Sequence, residues 1–160
     1  MHTKHIMLLF VLLAVAVGCA SPRQQNPSDM SSIDQGRSLV KSMGCNDCHT
    51  PGYQTRNSVP EEDWLVGGTL GFRDTAGTTY PTNLRLLLNS MSEDEWAVYA
   101  RKMRKNVPME SVLLPKTSER DLRAIYQFVK YLGPKGNPAP LSLPAGVTPT
   151  TEYVDFPYIH

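Results

Sequence analysis

Cys45-Asn46-Asp47-Cys48-His49 is the stretch that decides both the fold and the chemistry. Two thiols held in one tight turn with two residues between them can each add to one vinyl group of a haem. The residue that follows then directs its imidazole at the iron from the same side, which is the spacing of covalent c-type haem attachment. Cys45 and Cys48 are therefore expected to bind one haem c covalently, with His49 as an axial iron ligand. Other uses of the motif fit the chain less well. A thioredoxin-like redox pair belongs beside a βαβ pattern, and none surrounds it. A zinc site needs a second ligand pair, and the remaining candidates are only Cys19, His2, His5 and His160.

Upstream of the motif, the apolar run Ile6–Val17 is twelve residues long. A membrane-crossing helix needs about 20, so the run reads as the apolar region of an export signal. Ala16-Val17-Gly18-Cys19 then resembles a bacterial lipobox, in which small residues precede a Cys that becomes the lipidated first residue. Leu is the usual residue where Ala16 stands, and cleavage after the Ala14-x-Ala16 pair is the competing reading. The expected organisation is a signal over 1–18, a polar tether over 19–31 lipid-anchored through Cys19, a haem domain over 32–132 and a proline-rich extension over 133–160. Ala20, a non-acidic residue after the Cys, favours the outer over the inner membrane by resemblance to Gram-negative lipoproteins. The site of action is then the periplasmic side of a bacterial membrane.

The sixth iron ligand is sought among seven Met residues. Met1, Met7 and Met30 precede the domain, and Met43 is tied to the proximal side, two residues before Cys45. Ser92 with Glu95 forms a capping box, and Met91 with Trp96 a hydrophobic staple. Trp96, Tyr99, Ala100 and Met103 follow at i, i+3, i+4 and i+7, an apolar stripe that makes Met103 a core residue. Met109 follows Pro108, which ends the helix and stiffens the approach, so Met109 is the expected second axial ligand. A thioether there favours the ferrous state relative to a bis-His site.

The remaining helices follow from caps and periodicity. Ser32 with Gln35 is expected to open a helix running through Ile33, Gly36, Val40 and Met43 to the haem motif. Thr117 or Ser118 caps a last helix with Leu122, Ile125, Tyr126 and Val129 on one face. Residues 50–90 are less informative; Gly67-Gly68-Thr69-Leu70-Gly71 lacks the ending of a phosphate loop and marks turns. Trp64, Arg73, Tyr80 and Arg85 are candidate hydrogen-bond donors to haem propionates.

With these residues in hand, positions 32–132 resemble a class I mono-haem cytochrome c domain. Tyr80-Pro-Thr-Asn-Leu84, Pro108-Met109 and Asp121-Leu-Arg-Ala-Ile-Tyr-Gln-Phe128 are similar to bacterial members, some of which are partners of periplasmic dehydrogenases. The resemblance implies an all-α cytochrome c fold, three or more helices around the haem with proximal His and distal Met. It implies close crossing of the first and last helices at a small residue, here Gly36 against Ile125 and Phe128. It also implies a proline carbonyl orienting the proximal imidazole, with Pro51 and Pro60 as candidates.

Composition sets the outer limits. With 16 Lys+Arg against 15 Asp+Glu, and no basic stripe interleaved with aromatics, nothing attracts nucleic acid. Arg101, Lys102, Arg104 and Lys105 form a basic collar before Met109, suited either to an acidic redox partner or to a solvated helix end. Six of the thirteen prolines fall between Pro134 and Pro157, which reads as a tail outside the packed core. It is either an arm lying on the domain, anchored by Tyr153, Phe156 and Tyr158, or a strap for a partner protein. The expected function is single-electron transfer by a membrane-tethered haem protein that is not an enzyme in its own right. A gas-binding haem sensor or small haem enzyme with an open sixth position, and a docking subunit of a periplasmic dehydrogenase or oxidase, are the alternatives.

Overall fold

The first helix and the Cys45–His49 turn are joined by a glycine that takes a left-handed backbone. In the computed structural model, which describes residues 27–56, 58–103, 109 and 114–156, α1 spans Pro27–Ser42 and α2 is the short helix Cys45–His49. Gly44 between them takes φ 70°, a conformation that costs glycine nothing. α1 begins before Ser32, which therefore lies inside the helix rather than capping it. Gln35 is spent instead on Asp121, to which its amide donates at 2.5 Å.

α3 spans Leu84–Asn89, α4 Glu93–Lys102 and α5 Glu119–Leu132. Asn83 caps α3, accepting from the Leu86 amide. The Ser92/Glu95 capping box opens α4, and Ser118 caps α5 by accepting from the Asp121 amide. α5 is the hub of the helical layer, packed on α1, α3 and α4. Leu122, Phe128 and Val129 on α5 join Val40 of α1, Leu88 of α3 and Leu65 in a core that water does not reach.

The α1–α5 crossing depends on Gly36. A Cβ there would lie 2.0 Å from the Ala124 carbonyl oxygen and 2.7 Å from the Phe128 Cβ. Phe128 is the neighbour anticipated from the sequence; the other is the backbone of Ala124, not Ile125.

The all-α expectation is overturned by a four-stranded mixed sheet in the order β3-β2-β1-β4. β1 (Gly71–Asp74) and β2 (Gly77–Thr79) form an antiparallel hairpin. Asp74 closes its turn by accepting from the amides of Ala76 and Gly77 at 2.7 and 3.1 Å. The extension supplies both outer strands: β3 (Leu143–Pro144) pairs antiparallel with β2, and β4 (Tyr153–Asp155) pairs parallel with β1. Pro144 is tolerated because an edge strand need not donate on its outer side. Gly77 admits β3, since a Cβ there would sit 2.1 Å from the Leu143 carbonyl oxygen. Strands this short carry no alternation to read, and their partners are more than sixty residues away in a segment marked by its prolines as tail.

That segment is thus part of the fold. Arg73 binds Asp155 with two hydrogen bonds, at 2.6 and 3.0 Å, and stacks on Tyr153. Phe72 meets Phe156 edge-on with ring centres 5.9 Å apart. Of the anticipated anchors, Tyr153 and Phe156 touch the hairpin; Tyr158 lies outside the described residues, as do residues 1–18, Cys19 and Ala20. Among the described residues no helix is long and apolar enough to cross a membrane.

Candidate functional site

The turn Cys45–His49 is fastened at its back by a short hydrogen-bond chain. The Thr50 hydroxyl donates to Asn46 Oδ1 at 2.7 Å and accepts from the Leu65 amide at 2.8 Å. Gly67 donates to the His49 carbonyl at 2.9 Å. Leu65 reaches Thr50 by adopting φ 63°, an uncommon backbone state for a non-glycine residue. Its carbonyl in turn accepts from the amides of Leu84 and Arg85. The loop over 64–68 therefore clamps the motif to the start of α3.

His49 is buried, and its Nδ1 lies 2.7 Å from the Thr82 carbonyl oxygen. A carbonyl only accepts, so Nδ1 carries the proton and Nε2 is the bare nitrogen able to bind a metal. Burial lowers the His49 pKa, with the Thr82 bond opposing the shift, so the neutral ring required of a ligand is favoured. The orienting carbonyl belongs to neither Pro51 nor Pro60 but to a residue 33 positions beyond His49. The stretch Tyr80-Pro-Thr-Asn-Leu84 that contains it was singled out in the sequence without this role, and proximity along the chain pointed elsewhere.

Both cysteines of the motif are free thiols. Burial pushes Cys45 up to about 11 and raises Cys48 as well, with the Asp47 carboxylate adding to the Cys48 shift. Both remain protonated thiols at neutral pH, the form that carries the hydrogen needed for addition across a vinyl group.

Cys45, Cys48, His49 and Met109 all line one cavity of about 430 Å³. That is within the range of cofactor sites, about 300–1,000 Å³. Its walls are largely apolar: Val40 from α1, Leu88 from α3, Trp96 from α4, Ile125 and Val129 from α5. Phe72 and Thr79 of the hairpin and Ser142 of the extension complete it. An apolar cleft with two thiols and a bare imidazole nitrogen suits a flat macrocycle attached through sulfur. Among the described residues no group of three or more His, Cys, Asp or Glu side chains is placed to hold a bare metal ion.

Three thioethers reach this cavity, not one. Met43 and Met103 line it together with Met109. α4 stops at Lys102, so Met103 is the residue after the helix (φ −56°, ψ 125°) rather than a continuing stripe position, although it still packs against the core. Trp96 and Ala100 are buried as the stripe requires, whereas Tyr99 is exposed and stacks on Trp96 with ring centres 6.2 Å apart.

Of the four candidate propionate donors, the structure brings only Tyr80 to the cavity, and its hydroxyl lies 3.1 Å from that of Thr151. The other three are occupied elsewhere. The Trp64 indole donates to the Val59 carbonyl at 2.9 Å within the core. Arg73 is held by Asp155 on the exposed side of the sheet. Arg85 is buried, donating to the carbonyls of Glu62 at 2.7 Å and Gly133 at 2.5 Å, and to that of Leu132. Arg85 is thus the clasp on the carboxyl end of α5. Of the basic collar, Arg101 faces Glu119 at 3.4 Å, while Arg104 and Lys105 lie outside the described residues, as does Pro108. Comparison with protein-family models, with curated proteins and with solved structures finds no match.

Proposed function

We propose that this chain carries one haem c and works as a single-electron carrier, held on the periplasmic side of a bacterial membrane by a lipid on Cys19. The observation that carries the reading is the convergence of Cys45, Cys48, His49 and Met109 on one apolar cavity, with Nδ1 of His49 committed to Thr82. The resemblance of the CxxCH motif and of the Pro108-Met109 pair to class I mono-haem cytochromes c supports the same assignment.

The haem would supply a reversible one-electron ferric/ferrous couple. Every other part of the task falls to the chain. Cys45 and Cys48 would each add sulfur and hydrogen across a vinyl group, anchoring the macrocycle in the cleft. His49 would bind iron through Nε2, its ring orientation set by Thr82; such a partner makes the ligand more basic. Met109 would hold the iron through its thioether and keep small molecules off it. The apolar walls exclude water, which keeps the change in solvation between the two charge states small. A redox partner protein is implied, and electrons would enter or leave where the cavity opens.

The outer strands formed by the extension bear on the alternative of a docking subunit. Residues 143–144 and 153–155 are already paired within the sheet, so the segment is not a free strap awaiting a partner.

The test is covalent haem retention. Produced with a c-type haem maturation system, the chain is expected to hold its haem through denaturing electrophoresis and acid–acetone extraction. Cys45→Ser with Cys48→Ser is expected to lose it. Extraction of all haem from the unaltered chain would refute the assignment.

A further inference from the structure

The segment after α5 does more than complete the sheet. Its first turns are fastened to the residues flanking the acceptor of the His49 hydrogen bond. Asn83 is 2% exposed. Its side-chain oxygen accepts from the Leu86 amide at 3.0 Å, and its amide nitrogen donates to the carbonyls of Lys135 at 2.8 Å and Asn137 at 3.1 Å. Arg85, two residues on, grips Leu132 and Gly133. Tyr80, two residues before Thr82, meets Thr151. Thr82 itself is exposed and sits between these fastenings.

We infer that Asn83 is a positioning residue through which the carboxyl-terminal extension sets the Thr82–His49 hydrogen bond, and with it the reduction potential of the iron site. The inference rests on the haem assignment above for its redox consequence, but the hydrogen bond it concerns belongs to the chain alone. The backbone joins Thr82 to Asn83 directly, and the Asn83 amide has two acceptors in the extension. Loss of those bonds lets residues 81–83 drift from His49. A weaker bond to Nδ1–H leaves a less basic imidazole, which stabilises the ferric state less.

The joint is equally open to disturbance from its other side. Gly136 has φ 80°, and a Cβ there would lie 3.2 Å from Asn83 Nδ2 and 3.4 Å from the Val66 Cβ. Neither Asn83 nor Gly136 lines the cavity, so substitutions at them leave the walls around the haem unchanged.

The test uses the full-length haem protein with three variants. Asn83→Ser keeps a capping hydroxyl for Leu86 but is too short for Lys135 and Asn137. Gly136→Ala strains the joint from the extension. Arg73→Ala releases the Asp155 clasp at the far end of the extension and serves as a control. Asn83→Ser and Gly136→Ala are expected to shift the ferric/ferrous equilibrium about threefold to tenfold toward ferrous, a tenfold change being about 59 mV for one electron. In both, the His49 Nδ1–H proton is expected to move upfield and exchange faster with solvent. Arg73→Ala is expected to leave potential and proton signal within error of the unaltered protein. Folded Asn83→Ser and Gly136→Ala proteins with unchanged potential and unchanged His49 signal would overturn the inference. So would an equal shift in Arg73→Ala, which would mean general loosening rather than a specific joint. The Nδ1–H signal is read whether or not haem is attached, so loss of the haem assignment would show in the spectrum of the unaltered protein and leave the test of the joint intact.

Discussion

At the residue scale, two positions show how little freedom the sequence has. Gly36 lies where α1 meets the backbone of Ala124, and any side chain must push the helices apart. Overpacking of this kind costs typically about 1–3 kcal/mol. Gly36→Ala is expected to reach the upper end, about 3 kcal/mol in urea unfolding, because a backbone atom cannot rotate away. The second position is His49. Its pKa is lowered in the folded chain, so below the ordinary value near 6.5 the unfolded chain binds a proton that the folded chain does not. Stability of the haem-free chain should therefore fall as pH drops below about 6.5 and lose this dependence above it. Urea midpoints between pH 5 and 8 check the sign, and His49→Gln should flatten the fall. The need for a small residue at Gly36 was legible in the sequence, because a glycine inside an apolar helical face needs a reason. The acceptor for His49 was not, since a backbone carbonyl carries no residue-type signature and Thr82 is distant along the chain.

At the element scale, local signals and long-range ones fared differently. The caps at Ser92/Glu95 and Ser118 are where sequence places them, because a cap is satisfied by amides two or three residues away. The start of α1 is earlier than Ser32/Gln35 suggested, because Gln35 finds a partner in Asp121 on α5 and no pattern within α1 announces that. Arg85 is the sharpest case. It is one of the few buried charged side chains among the described residues, and its role is to satisfy the carbonyls of Glu62, Leu132 and Gly133. Hydrogen bonds to a charged group are each worth about 1.5–3 kcal/mol, and stranded buried acceptors carry their own penalty. Arg85→Met is accordingly expected to destabilise the chain by about 3 kcal/mol in urea unfolding and to fray the end of α5, read by hydrogen exchange of the amides around Lys130–Gly133. Unchanged exchange there would show that the clasp is unimportant to the helix end.

At the scale of the whole molecule, the proline-rich extension is joined to the hairpin by strand pairing. Helices α1, α4 and α5 were legible from periodicity and caps, whereas α3, six residues long, was not, and residues of all four line the cavity. Phe72 and Thr79, also in its lining, belong to a sheet whose hairpin comes from residues 71–79 and whose edges come from residues 143–155. Parallel pairing of β4 with β1 joins segments some eighty residues apart, and two- to four-residue strands offer no period to detect. The prolines that marked the extension as tail are compatible with edge strands and loops lying on a surface. The folded chain brings Cys45, Cys48, His49 and Met109 to a single cavity, along with two further thioethers, Met43 and Met103, that spacing arguments had set aside.

If the cavity holds the proposed haem, a closed or an open iron separates an electron carrier from a gas-binding sensor or a small haem enzyme. The deciding measurement is the visible spectrum of the reduced haem protein with and without carbon monoxide, in the unaltered chain and in Met109→Ala. A closed site gives no change on adding carbon monoxide to the unaltered protein and a clear adduct in Met109→Ala. An adduct in the unaltered protein would contradict the electron-carrier reading. A Met109→Ala protein that still resists carbon monoxide would remove Met109 as the ligand and move that role to Met103.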